Sequence, residues 1–130
     1  FEIPTNNPLV NKDKLTIEDL AGQKFCIPPR GNCVSFDQMR DKIQQEVPSA
    51  SIIDDDTDST MMAKCQSEGN ILVLFHRQID HFDPLISIAP PWEIPLDIGL
   101  VYRTDAEPHI IEFVELAKRV INEVSLEAWV

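Results

Sequence analysis

The chain has 130 residues, 43% of them hydrophobic and 25% charged, as expected of one globular domain or of part of a larger one. Its formal net charge is −11, from 22 acidic and 11 basic residues. A surface that negative repels nucleic-acid phosphates and anionic lipids, so these residues are not expected to bind either. The longest purely apolar run, 71–75, is far shorter than the roughly 20 residues that cross a bilayer.

Two features of the sequence bear on the origin and compartment of the chain. It starts at Phe1 without an initiator Met, a basic leader or a signal-peptide core, which predicts a processed chain or a part of a longer polypeptide. Its three cysteines form an odd, sparse set with no C-x-x-C pair. Such a set indicates small buried thiols in a reducing cytosol rather than a disulfide scaffold or a zinc site.

The first half of the chain carries alternating strand and helix signals. Residues 1–11 are expected to be extended, and residues 17–21 to form a short helical turn. A strand over 24–27 ends at two prolines. Ser35 then fits the N-cap of a well-marked helix, with Gln38 completing a capping box. The apolar face of this helix has helical spacing and consists of Phe36, Met39, Ile43 and Val47.

The second half continues the same alternation. Further strands are predicted at 51–53, 71–75, near 85–89 and near 98–103. Asp58 is expected to cap a second helix that stops at Gly69, and Pro108 to open the last helix. The apolar stripe of that last helix is Ile110, Val114, Ala117, Ile121 and Val124. The fully apolar run 71–75 is typical of a strand in the middle of a parallel sheet, and the order of elements predicts an α/β fold with right-handed crossovers.

Two predicted loops are candidate ligand sites. Open α/β sheets bind ligands beyond the carboxyl ends of their strands, where helix N-termini point outward. The first loop offers Arg30, Asn32, Ser35 and backbone N–H groups, a cradle for a carboxylate or phosphate. The second loop, 56–60, offers carboxylates and hydroxyls that favour an amine or hydroxyl group, so a small polar ligand such as a zwitterion is expected. The alternative left open is that Ser35 and Asp58 only cap helices and that Arg30 is solvated.

Five segments match, in order and spacing, the pattern of one protein family. Asn6-Asn7-Pro8-Leu9 is similar to a family "hPL" that follows the first crossover strand, and residues 15–22 are similar to its "l...dL.g" turn. Residues 69–74 stand where the family has G-x-G-I-a-l-l-P, and 95–103 with 108–113 match its closing "l.lvyr…p.i..F". Over nearly its whole length, the chain therefore resembles the effector-binding domain of LysR-type transcriptional regulators.

The resemblance implies a three-layer α/β lobe of a periplasmic-binding-protein-like (type 2) domain, with a mixed, mostly parallel sheet flanked by helices. It places the second lobe over about 1–104 and a return helix over about 108–124. An effector would bind in the cleft between two lobes, and DNA only through a winged helix-turn-helix N-terminal to this chain. The cleft wall given by this chain would consist of Pro29, Arg30, Asn32, Ser35, Asp58, Ser59 and Thr60.

The resemblance also implies a cytoplasmic protein that is a homodimer or homotetramer when full length. No enzymatic activity, cofactor, metal or membrane partner is expected. The sequence contains no phosphate-binding G-x-x-x-x-G-K-[ST] motif, and its four glycines leave little room for such loops.

Three other interpretations come from other classes of protein. A lobe of an exported solute-binding protein would share the fold and would carry a secretory signal. Residues 56–60 match the D-x-D-x-T of haloacid-dehalogenase-like phosphatases, in which the first Asp is the nucleophile and the second a general acid. His76, Asp80, His81 and Asp83 are side chains that can bind zinc, although H-x-x-x-x-H is no recognised helical ligand spacing.

Overall fold

The computed structural model describes residues 1–55, 59–74, 85–95 and 99–123. The chain divides into two compact units, Phe1–Pro95 and Leu96–Val130. In the described ranges, no helix has both the length and the apolar character needed to cross a bilayer.

The first unit is built on a five-stranded mixed sheet. Its strands are β1 (Glu2–Pro4), β2 (Lys24–Ile27), β3 (Ser51–Asp54), β4 (Ile71–Leu72) and β5 (Leu85–Ser87). They lie in the order β3-β2-β4-β1-β5. β2 pairs parallel with β3 and β4, whereas β1 runs antiparallel to both β4 and β5. The predicted α/β class is therefore confirmed, and the apolar strand after residue 70 lies at the centre of the sheet as predicted.

The described residues also form three helices and two short turns. The helices are α1 (Val34–Glu46), α2 (Ser59–Glu68) and α3 (Pro108–Glu123), and the 3-10 turns are Pro8–Asn11 and Glu18–Leu20. Gly69 ends α2 at φ +74°, as predicted, because that backbone conformation favours glycine. Pro108 opens α3, also as predicted, since a residue in the first turn needs no backbone N–H.

One helix packs against each face of the sheet, because successive strand side chains point to opposite sides. On one face, Phe25 and Ile27 of β2 are fully buried with the predicted stripe of α1. On the other face, Cys26 lies among Met61, Met62 and Cys65 of α2. The phase of the apolar residues in α1 and α2 thus follows from their sequence spacing.

The predicted capping box of α1 is wrong. The helix begins at Val34, one residue before the predicted cap, and Cys33 is the N-cap residue in extended conformation, with no side-chain capping bond. Ser35 instead lies in the first turn, where its hydroxyl donates to the carbonyl oxygen of Pro95 at 2.8 Å. The acceptor of this hydroxyl is distant in the sequence, so local residue spacing could not predict the bond.

Two strand predictions change in extent and one is wrong where it is described. β4 covers only Ile71–Leu72, although Val73 N still donates to Cys26 O at 3.0 Å, and β5 ends before residue 88. Residues 99–103 form no strand, and residue 98 lies outside the described residues. A strand needs a neighbour to complete its hydrogen bonds, and no described segment pairs with 99–103.

In the second unit, α3 carries the predicted amphipathic pattern but a largely exposed apolar side. Val114 is buried and Ala117 half-buried, whereas Ile110 and Ile121 are exposed. The last residue of the predicted stripe, Val124, lies outside the described residues.

The segment of residues 88–95, which we name the strap, runs over the face of the first unit that α1 covers. Ile88 extends the β1–β5 ladder by exchanging backbone hydrogen bonds of 2.9 Å with Phe1. Trp92 and Ile94 pack on the core. The indole Nε1 of Trp92 donates to the carboxylate of Glu46, at the end of α1, at 2.8 Å.

The contact between Trp92 and Glu46 predicts a titration in acid. The indole, and secondarily Lys42, lower the pKa of Glu46 below its ordinary 4.5. A lowered pKa means that the ionised carboxylate stabilises the fold above pH 4.5, and that this contribution is lost as the pH falls through the lowered value. In a Trp129→Phe background, we expect Trp92 fluorescence to titrate below pH 4.5. Glu46→Gln should remove this transition; an identical transition in that variant would contradict the assignment.

Candidate functional site

The candidate site lies at the carboxyl ends of β2 and β3. These strands are parallel neighbours with Ile27 opposite Asp54, and Asp55 N donates to Ile27 O at 3.3 Å. The segments that follow both strands therefore leave the sheet side by side. We call residues 28–33 together with 54–55 the carboxyl edge. The first predicted loop starts at this edge, whereas residues 56–58 of the second predicted loop lie outside the described residues.

The loop that follows β2 is fixed by backbone hydrogen bonds. Asn32 N donates to Pro29 O at 3.3 Å, which closes a turn. Gly31 has φ +84°, a conformation that a side chain disfavours. Its N–H donates to the carboxylate of Asp37, in the first turn of α1, at 3.1 Å. The loop and the start of α1 therefore form one connected structure.

Arg30 does not stand free over this loop. Its guanidinium pairs with Asp41 and also donates to Gln44 at 3.3 Å, both on α1. The two charged side chains are about half exposed, so the positive charge is balanced on the outside of the helix. An anionic ligand would have to compete with Asp41 for it.

The other residues predicted in this loop are of two kinds: exposed side chains, and one buried side chain that is already hydrogen-bonded. The Asn32 side chain is exposed and makes no hydrogen bond to the described residues, whereas Ser35 is 8% exposed and bonded to Pro95. Pro29 is exposed. Val34, in the first turn of α1, is 72% exposed. The exposed groups at this point are thus an amide side chain and an apolar one, on Asn32 and Val34, which are two residues apart in the sequence.

The second predicted loop is only partly described. Asp58, and the Asp56 that would be a phosphatase nucleophile, lie outside the described residues. Ser59 is the first residue of α2, and Thr60 is an exposed residue of its first turn. The candidate zinc-binding side chains also lie outside the described residues; they are His76, Asp80, His81 and Asp83.

A buried arginine that sequence reasoning missed ties the two strand ends together. Arg40 of α1 is 5% exposed; its Nη1 lies 2.6 Å from Asp54 Oδ1, and its Nη2 donates to Pro28 O at 2.9 Å. Its Nε has no hydrogen-bond partner among the described residues. The signal was present, because Arg40 is four residues after Phe36 and so lies on the apolar stripe of α1. A charged residue on that stripe indicates a buried polar contact.

The described residues hold no group of three or more His, Cys, Asp or Glu side chains placed for a metal ion. The three cysteines are free thiols. A hydrogen bond with Cys26, together with burial, raises the pKa of Cys65 above that of an ordinary thiol, so Cys65 stays protonated. Cys26 and Cys65 are buried as predicted, and Cys33 is half-buried.

The chain was compared with models of protein families, with curated proteins and with solved structures. None of the three comparisons found a match.

Proposed function

We propose that this chain is the effector-sensing part of a LysR-type transcriptional regulator and binds a small polar molecule at the carboxyl edge. The observation that carries the proposal is the construction of that edge. Arg40 joins the end of β2 to Asp54 at the end of β3, and Asp37 holds Gly31. The result is a fixed wall on which the Asn32 side chain is exposed and makes no hydrogen bond to the described residues.

The topology of the first unit supports the same proposal. β1 comes first in the chain, yet it lies inside the sheet and antiparallel to both neighbours. The sequence resemblance assigns the residues before Asn6-Asn7-Pro8-Leu9 to a strand that crosses from another lobe. A strand that enters the sheet from elsewhere in the polypeptide has no need to follow the direction of the other four.

The proposed regulator would read DNA with another part of the polypeptide. The formal net charge of −11 makes contact between these residues and a phosphate backbone unfavourable. By the resemblance, a winged helix-turn-helix precedes this region, and the full-length protein is a cytoplasmic homodimer or homotetramer. Effector binding would act by closing or rotating one lobe relative to the other. No step of bond making or breaking is assigned to the chain.

Asn32→Ala tests the proposed wall in the full-length protein. We expect this variant to bind the effector about fivefold more weakly, the usual consequence of losing one hydrogen bond, with DNA binding unchanged. The effector would be found by thermal shift with a panel of amino acids and small carboxylates. DNA binding would be followed by gel shift with the DNA upstream of the gene.

Gln45→Ala is the matched control, because Gln45 is an exposed amide near the opposite end of α1. Equal effector affinity in the Asn32 and Gln45 variants would show that the wall is assigned wrongly. A full-length protein that binds its ligand but no DNA would contradict the regulator and favour a solute-binding lobe.

A further inference from the structure

The strap is held on α1 by two side-chain hydrogen bonds at opposite ends of the helix. Glu46, the last residue of α1, accepts from the indole of Trp92. Ser35, in the first turn, donates to the carbonyl oxygen of Pro95. Both distances are 2.8 Å. The strap therefore runs along α1 from its C-terminal end to its N-terminal end.

The spacing of the two attachments agrees with a strap that lies along α1. Ser35 and Glu46 are eleven residues apart, about 16 Å along a helix. The three steps from Trp92 to Pro95 span at most about 11 Å, so the indole and carboxylate side chains must cover the remainder. This short stretch of the strap is thus attached to α1 at both of its ends, so the loss of one hydrogen bond is expected to weaken the other as well.

Ser35 connects this strap to the carboxyl edge. It lies two residues after Cys33, the N-cap residue of α1, and so follows the loop that carries the exposed Asn32 side chain. Its hydroxyl can donate a single hydrogen bond, and the acceptor of that bond is the carbonyl oxygen of Pro95. Pro95 is also the last residue of the first unit.

We propose that Ser35 is a positioning residue that latches the strap to the carboxyl edge, so that the loop and the strap move together. A role of this latch in sensing rests on the proposed function. An effector that accepts the hydrogen bond of the Ser35 hydroxyl would displace the carbonyl oxygen of Pro95. The latch would then couple effector occupancy to the position of the strap. A role of Ser35 as a simple ligand contact would not involve the strap.

Hydrogen exchange of the Trp92 indole N–H, followed by NMR on the 130-residue chain, measures how often the strap opens. Ser35→Ala should raise this exchange rate about fivefold, as expected for one lost hydrogen bond. Ser35→Thr keeps the hydroxyl and should exchange like the parent chain. Trp129→Phe identifies which of the two indole signals belongs to Trp92.

Ser67→Ala is the matched control, because it removes another seryl hydrogen bond, to Lys64 O on α2. The backbone N–H of Phe25, in the central strand β2, reports global unfolding. An unchanged Trp92 rate in Ser35→Ala overturns the proposal. So does an equal rise in Ser67→Ala or at Phe25, which would mean general destabilisation. Neither DNA nor effector enters this experiment, so the latch and the regulator can fail independently.

Discussion

Asp54→Ala is expected to lower the free energy of unfolding by about 3 kcal/mol, because it leaves a buried guanidinium without its counter-charge. Arg40 is only 5% exposed and its Nε already has no partner among the described residues. Water therefore cannot replace the lost carboxylate well. The Asp54 side chain itself is 61% exposed, so the loss of its own packing adds little to the change in unfolding free energy.

Arg40→Met should be less harmful than Asp54→Ala, although both break the same ion pair. The methionine removes the buried charge together with its unpaired Nε, and the exposed Asp54 carboxylate is hydrated instead. What remains is the lost hydrogen bond to Pro28 O, worth about 1 kcal/mol. The two substitutions thus differ in their effect on stability because only Arg40 is buried, whereas Asp54 is exposed.

Urea unfolding monitored by Trp92 fluorescence, in a Trp129→Phe background, would measure both variants in the first unit. Asp55→Ala provides the control for removing one negative charge, since Asp55 follows Asp54 and makes no ion pair with the described residues. We expect that control to stay within about 0.5 kcal/mol of the parent. A larger loss for Arg40→Met than for Asp54→Ala would contradict the proposed asymmetry.

Phe25→Ala is expected to lower the free energy of unfolding by about 4 kcal/mol, the usual effect of truncating a fully buried aromatic side chain. Phe25 lies on β2, with β3 and β4 on either side, and is 0% exposed. Its ring lies 5.2 Å from that of Phe1, at 56°. Neighbours on both sides limit how far the sheet can collapse into the cavity.

The same urea experiment separates cavity formation from a general loss of apolar surface. Phe25→Leu keeps most of the volume and should cost about 1.5 kcal/mol. Val34→Ala removes an apolar side chain that is 72% exposed and should change stability by less than about 0.5 kcal/mol. Equal effects of the Ala and Leu substitutions at residue 25 would show that Phe25 is not tightly packed.

Elements set by local periodicity were predictable from the sequence. The strand at 24–27 was predicted with its observed bounds, because two prolines end it. The phase of α1 was predicted because its apolar residues recur at helical spacing. Gly69 and Pro108 marked helix ends correctly, since each has a backbone property that restricts where it fits.

Side-chain partners that are distant along the chain were not predictable in this way. Ser35 has the local signature of a cap, but its acceptor, Pro95, lies 60 residues away. Arg30 was expected to face a ligand and instead pairs with Asp41, eleven residues further along the chain. The place of Arg40 on the apolar stripe of α1 indicates its burial, but its partners lie at the ends of two strands that only the folded sheet brings together.

The position of β1 has a consequence for how the first unit is made. Glu2 pairs with Leu72 and with Ser87, so both neighbours of this first strand lie 70 or more residues later in the chain. β2 and β3 are joined through α1 alone and can pair as soon as that helix exists. Long-range pairings form slowly because a large loop must close first. We therefore expect the carboxyl edge to form early during synthesis, while β1 waits for β4 and β5 to complete the sheet.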